Sequence, residues 1–194
     1  MEGFHMTKIE VHPTCLIFDL FRENIMQFTL RIIEPTDLES FTFHANNYNI
    51  SKNMTDAFPY PYTLEKGKLF FDKIEKQSPR NVLGIDIDGK ICGAIGVHLQ
   101  TDVYAKNAEM GYWLGEPFWG NGIMSKAIPQ MVAYAFEKFP IERIYARPFG
   151  NNLASQMTLK KAGFILEAVL KDTIFKNGET IDEWIFSTRR LHNI

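Results

Sequence analysis

Residues 116 to 127 read EPFWGNGIMSKA, and the chemistry starts with two glycines one residue apart, Gly120 and Gly122, at the mouth of an apolar-periodic run. Glycines at that spacing let the backbone turn tightly and keep side-chain bulk away from the amides that open the helix. A helix N-terminus carries roughly half a positive elementary charge, so such a turn can receive a phosphate or pyrophosphate. A bare strand-to-helix connection is the plainer reading of the glycines alone, and the rest of the chain has to decide between the two. Elsewhere, nucleophile and metal chemistry find little support. Cys15 and Cys92 are far apart, with no C-x-x-C spacing and no clustered histidines, so neither a zinc site nor a disulfide framework is expected. Cys92 sits in an apolar run and reads as a buried thiol. His98 reads as an ordinary imidazole at a strand end.

The elements that must position this turn come from the hydrophobic pattern. At 194 residues, 45% of them hydrophobic and 23% charged, the chain suits one α/β domain with a substantial core. The net charge of −2 has no basic run behind it, which gives an extended nucleic-acid surface little support and leaves room only for a local basic pocket. There is no apolar stretch of membrane-spanning length, roughly 18 residues or more, and no secretory leader pattern. No membrane partner is expected, and a reducing cytoplasm fits the cysteine usage.

QFTLRII from Gln27 predicts a strand, Asp37 opens a helix to about Asn46, and Thr63 caps a helix running to about Gln77. NVLGIDI and KICGAIGVHL flank Asp88-Gly89, a two-residue hairpin signal. AEMGYWL follows as a third antiparallel strand, with Ala108, Met110, Tyr112 and Leu114 on one face and Glu109, Gly111 and Trp113 on the other. After the glycine turn comes a helix with a broad apolar face and one awkward residue, Pro129, where a kink or shifted start is expected. RIYARP predicts a strand, Asn151 or Asn152 caps a helix that stops at Gly163, and Asn177-Gly178 joins a closing hairpin. The order gives a mixed α/β domain. A doubly wound dinucleotide fold is disfavoured, because the turn follows several strands and Ser125 stands at the third glycine position.

Taken in this order, AEMGYWL, PFWGNGIMSKA, RIYARP and NNLASQMTLKKAGF resemble the GNAT superfamily of acyl-CoA-dependent N-acetyltransferases, and within it the RimJ/RimL-like branch. The resemblance spans about residues 27 to 190, including LRIIEPTDLESF and PYPYTLEKG. It implies a single GNAT-like domain over 27–194, a central, mostly antiparallel twisted sheet with helices on both faces. Residues 1–26 stand before it as an extension, read as an added strand or arm. The family's turn, Q/R-x-x-G-x-G/A, falls on Pro117 to Gly122 and departs only at its first position. By that likeness the amides of Trp119, Gly120, Asn121, Gly122, Ile123, Met124 and Ser125 hold the pyrophosphate of acetyl-CoA, the cosubstrate, with no metal. Tyr112, Trp113 and Leu114 match the strand whose open edge pairs with the pantetheine arm, as an unpaired strand edge can. Asn152 and Ser155 match the family's N-x-x-S, the asparagine on pantetheine and the serine facing the thioester sulfur; a simple helix cap remains the alternative for Asn152.

Acyl transfer to an amine needs a neutral amine, a positioned thioester, a polarised carbonyl and a proton for the departing thiolate. Glu109, ahead of the implied acyl site, is the expected general base acting through water, with a surface or ion-paired glutamate as the alternative reading. Ser155 is the expected hydrogen-bond partner of the thiolate. Two positions depart from the family: Leu159 stands where many members carry a tyrosine, and Ile174 where some RimL-like members carry an acid. The implied partners are acetyl-CoA and an amine acceptor, either a protein N-terminus or a small amine such as a polyamine, antibiotic or amino acid, and a homodimer is allowed. Two other readings stay open: a catalytically silent CoA-binding module, and a mononucleotide binder using the same turn.

Overall fold

The computed structural model describes residues 26–191. The expected strand or arm in residues 1–26, with Cys15, lies outside the described residues except for Met26, which is packed against the core. In chain order the elements are β1 (Thr29–Arg31), α1 (Leu38–Ala45), α2 (Tyr48–Ser51), α3 (Leu64–Glu75), β2 (Val82–Ile87), β3 (Lys90–Leu99) and β4 (Asn107–Leu114). These are followed by α4 (Ile123–Lys138), β5 (Arg143–Ala146), α5 (Leu153–Lys161), β6 (Ile165–Lys176) and β7 (Glu179–Arg189). The strands form one seven-stranded sheet in the order β1-β2-β3-β4-β5-β7-β6. Every neighbouring pair is antiparallel except β4 and β5.

Local chemistry fixes the joints. Asp88 and Gly89 have φ of 52° and 79°, and Asn177 and Gly178 have 53° and 83°, the left-handed values at both central positions that a two-residue hairpin of this twist requires. Thr63 accepts from the Lys66 amide and starts α3. The end of α5 is a paired cap: Gly163, at φ 86°, donates to Lys160 and Phe164 donates to Leu159, with Leu159 and Phe164 both in the core.

The alternation of β4 divides the molecule. Ala108, Met110 and Leu114 point into a core shared with Ile123, Ile128 and Met131 of α4 and with Leu159 of α5. Trp113 points the other way, into a second core with Phe41, Phe71 and Ile74 from α1 and α3. Helices therefore cover both faces, and the apolar side chains buried on each contribute about 1.5–3 kcal/mol apiece.

Two expectations are corrected. The first strand pairs over Thr29–Arg31 alone, because Glu34 and Pro35 begin a 3-10 turn at residues 35–37. Asp37 stands at the N-cap of α1, as expected, while its side chain accepts from Arg31 at 2.7 and 2.8 Å and from the Glu34 amide at 2.8 Å. Helix α4 keeps its start and runs unbroken through Pro129, whose ring lies on the exposed side. The short helix α2, within a stretch of mixed polar and aromatic residues, has no periodicity long enough to reveal it.

Candidate active site

The glycine turn forms where β4 ends. Leu114 leads through Gly115 into a 3-10 turn at Glu116–Phe118, and the Trp119 indole donates to the Leu114 carbonyl at 2.7 Å. Asn121 donates to the carbonyls of Phe118 and Trp119, both at 3.2 Å. Gly120 and Gly122 sit at φ of 80° and 70°, where a Cβ is strained. A Cβ on Gly120 would meet nothing within 4 Å, and one on Gly122 only Ser125 Oγ at 3.8 Å. The glycines are thus demanded by backbone conformation and not by packing, and the space before the helix is open. Gly122 is the N-cap of α4 and has no side chain to accept from the first-turn amides, which stay directed at that space. Ser125 Oγ donates back to the Gly122 carbonyl at 2.8 Å. Ile123, 1% exposed, and the partly buried Met124 anchor the turn to the core.

The turn is held from the α1–α2 side as well. Asn47 donates to Glu116 at 2.6 Å, and Asn49 donates to both its carboxylate oxygens at 3.0 and 3.1 Å. These two amide donors keep the Glu116 carboxyl below its ordinary pKa. A Cβ on Gly115 would stand 2.9 Å from His44 Nδ1, so α1 lies directly against the chain entering the turn.

Beside the turn, the sheet opens. Strand β3 pairs with β4 from Ala108 to Leu114, but β5 pairs with it only at Asn107, Ala108 and Glu109. The β5 side of Met110–Leu114 is an unpaired edge. The cause lies past the end of β5, where the chain is drawn to β7: Ala146 pairs with Phe186, Trp184 donates to the Pro148 carbonyl, Phe149 bridges Glu183, and Gly150 donates to Asp182 at 2.7 Å. Pro148 has no amide to return to β4.

Helix α5 stands at this opening. The Asn152 side chain caps it by accepting from the Ser155 amide at 3.1 Å, and the buried Gln156 donates to the carbonyls of Phe149 and Gly150 at 3.2 and 3.0 Å. Ser155 Oγ lies 2.8 Å from the Tyr112 hydroxyl. Desolvation pushes the half-buried Tyr112 phenol up to about 12. Leu159 is fully buried one turn further along α5, and Ile174 is half-buried on the closing hairpin.

On the opposite face, Glu109 Oε1 is 3.3 Å from Arg147 Nε, which is 3.2 Å from Oε1 of the buried Glu183. Tyr145 is paired with Glu109 across β4 and β5, and desolvation, aided by the Glu109 charge, raises its phenol above the ordinary value. The ion-paired alternative for Glu109 is therefore present in the structure. No sequence pattern marks Arg147 and Glu183, since they meet Glu109 only because β4, β5 and β7 are brought side by side. Cys92 is 2% exposed and burial pushes its thiol up to about 11, which leaves no thiolate for nucleophilic chemistry. His98 pairs with Glu109 across β3 and β4. Among the described residues no group of three or more His, Cys, Asp or Glu could hold a metal ion, and no helix is long and apolar enough to cross a membrane. A cleft of 690 Å³ between α4 and the closing hairpin, lined by Val132, Phe136, Ile165 and Glu167 among others, contains none of the expected site residues.

Residues 27–165 match the acetyltransferase (GNAT) domain family. YdaF of Bacillus subtilis strain 168, provisionally named a ribosomal N-acetyltransferase, is 33% identical over 160 residues, covering 77% of this chain and 84% of YdaF. The solved structure of the microcin C7 self-immunity acetyltransferase MccE, in complex with acetyl-CoA and AMP, is 25% identical at a TM-score of 0.73, covering 84% of this chain and 93% of that one. RimL, a ribosomal L7/L12 α-N-protein acetyltransferase solved with coenzyme A, shares the fold at a TM-score of 0.73 and 20% identity, covering 84% of this chain and 93% of that one. The sheet, the glycine turn and the family match over most of the chain converge: this protein belongs to the GNAT acetyltransferase family, as an acetyl-CoA-dependent N-acetyltransferase similar to the RimJ/RimL-like branch.

Proposed function

We propose that the enzyme acetylates a primary amine by direct attack on acetyl-CoA in a ternary complex, with the donor lying in the opening between β4 and β5. The observation that carries this reading is the unpaired edge of Met110–Leu114 placed between the α4 turn and Ser155. Pantetheine carries amides that an open strand edge can bind as it would another strand. The amides from Trp119 to Ser125 would hold the pyrophosphate, and Tyr112, Trp113, Leu114 and Asn152 the pantetheine arm. A backbone amide on Met110–Tyr112 polarises the carbonyl. The thioester and amine meet from opposite faces, so much of the rate comes from placement.

Glu109 is assigned to take the amine's proton through water and Ser155 to hydrogen-bond the departing thiolate. The acceptor is a protein N-terminus or a small amine. YdaF and RimL carry ribosomal names, while a Vibrio cholerae neighbour of the same fold is a spermidine N-acetyltransferase. A silent CoA-binding module is the second reading, favoured by Arg147 standing beside Glu109 as a counter-ion. Release of free CoA measured against a panel of amines, peptides and ribosomal proteins separates them. Amine-dependent release is expected; tight acetyl-CoA binding with no acceleration by any acceptor sinks the enzyme reading.

A further inference from the structure

The Tyr112–Ser155 contact gives the serine a direction. Two hydroxyls 2.8 Å apart share one hydrogen bond, in which one donates and the other accepts. The phenol is the more acidic hydroxyl and hence the better donor, and its desolvated site keeps it protonated at any neutral pH. Ser155 Oγ has no other hydrogen-bond partner among the described residues. Once Tyr112 fills one of its lone pairs, the serine's own hydrogen is left for a group outside the pair. Tyr112 belongs to the stretch of β4 that β5 leaves unpaired, so the pair stands at the head of the opening.

Resting on the reading of the β4–β5 opening as the donor site, we infer that Tyr112 is a positioning residue: its hydroxyl donates to Ser155 Oγ and so turns the serine's hydrogen toward the thioester sulfur. As the C–S bond breaks, the sulfur leaves with the bonding pair and meets a hydrogen bond already aimed at it. Tyr112 stays neutral throughout; the proton that completes the thiol comes from solvent, and the amine gives its own through water to Glu109. Leu159, fully buried, offers no hydroxyl from the helix side.

The test is a double-mutant cycle with Tyr112→Phe, Ser155→Ala and the double variant, following thiol release and, by calorimetry, acetyl-CoA affinity. Losing one directed hydrogen bond to a developing charge should lower kcat about 10-fold in Tyr112→Phe, with KM and Kd for acetyl-CoA within about twofold of wild type. The double variant should be no slower than Ser155→Ala, because Tyr112 acts through the serine. An acetyl thioester of a more acidic thiol should shrink the Tyr112→Phe defect, since its leaving group needs less help. Independent, multiplying losses, an unchanged kcat in Tyr112→Phe, or a loss of affinity as large as the loss of rate each overturn the inference. Wild-type protein lacking amine-dependent thiol release overturns the transferase reading, and the inference falls with it; an active wild type beside an unimpaired Tyr112→Phe overturns the inference alone.

Discussion

The two faces of β4 are built on different principles. Toward α4 and α5, the proposed donor side rests on backbone: two glycines in left-handed conformation, an N-terminus with no capping side chain, an unpaired strand edge and a helix opened by Asn152. Toward α1 and the hairpin, the other face rests on side chains: Glu109, Arg147 and Glu183 joined by ion pairs, and Glu116 clamped by Asn47 and Asn49. A backbone site tolerates exchange of most side chains but not of conformation. A side-chain site can change its preference with single substitutions, which suits the face that would meet the acceptor.

The contrast can be broken at its strongest point by Gly122→Val. A β-branched residue at φ 70° is strained, and its bulk projects into the space before α4. Acetyl-CoA affinity should fall at least ~100-fold, with about 1–2 kcal/mol lost in stability; calorimetry showing wild-type affinity would remove the turn from the site. Arg147→Ala should behave oppositely. It strips the counter-ion from Glu183, whose side chain is 11% exposed, and should cost about 1–3 kcal/mol in thermal or urea unfolding. The KM for the amine should shift while the acetyl-CoA Kd holds; a matching loss of acetyl-CoA affinity would erase the division between the faces. Asn152→Ala removes a helix cap and should cost about 1 kcal/mol, and any further loss of acetyl-CoA affinity measures its contact with the donor.

The smallest effect lies where Glu167 of β6 meets Arg143 of β5 and Ser187 of β7, apart from the glycine turn and from Arg147. Glu167 accepts from Arg143 and Ser187, and the Arg143 guanidinium, first among the causes, holds its carboxyl down to about 2 from an ordinary 4.5. Because the folded value is the lower one, its stabilisation is complete above about pH 4.5 and is lost as the pH falls toward about 2. The pair is partly exposed, so Glu167→Gln should cost no more than about 1 kcal/mol at neutral pH and should flatten the stability profile in that acid window. An unchanged profile would show that the pair contributes nothing in solution.

The same division explains what could be read from the chain. Asp88-Gly89, Asn177-Gly178, Thr63 and Gly163 act within four residues of themselves, so their types announce the hairpins, the cap and the stop. The glycine turn is equally local. The opening of the sheet is not, because it follows from Pro148, Phe149 and Gly150 pairing with β7 more than thirty residues later in the chain, roughly the span of a βαβ unit. Asn47 and Glu116 are separated by 69 positions, and Tyr112 and Ser155 by 43; no periodicity links such pairs. The strand pattern points to the backbone edge of Tyr112, and its hydroxyl gains a partner only where α5 is set against β4. Family likeness reached Ser155 and Asn152, but it carried nothing about Arg147 or Glu183.

Direct attack within a ternary complex is the claim on which both faces depend. Initial rates of CoA release, measured while acetyl-CoA and an accepted amine are varied together, test it most directly. Intersecting double-reciprocal lines are predicted, because both substrates must be bound before the acetyl group moves. Parallel lines, the sign of an acetylated enzyme formed before the amine arrives, would contradict it.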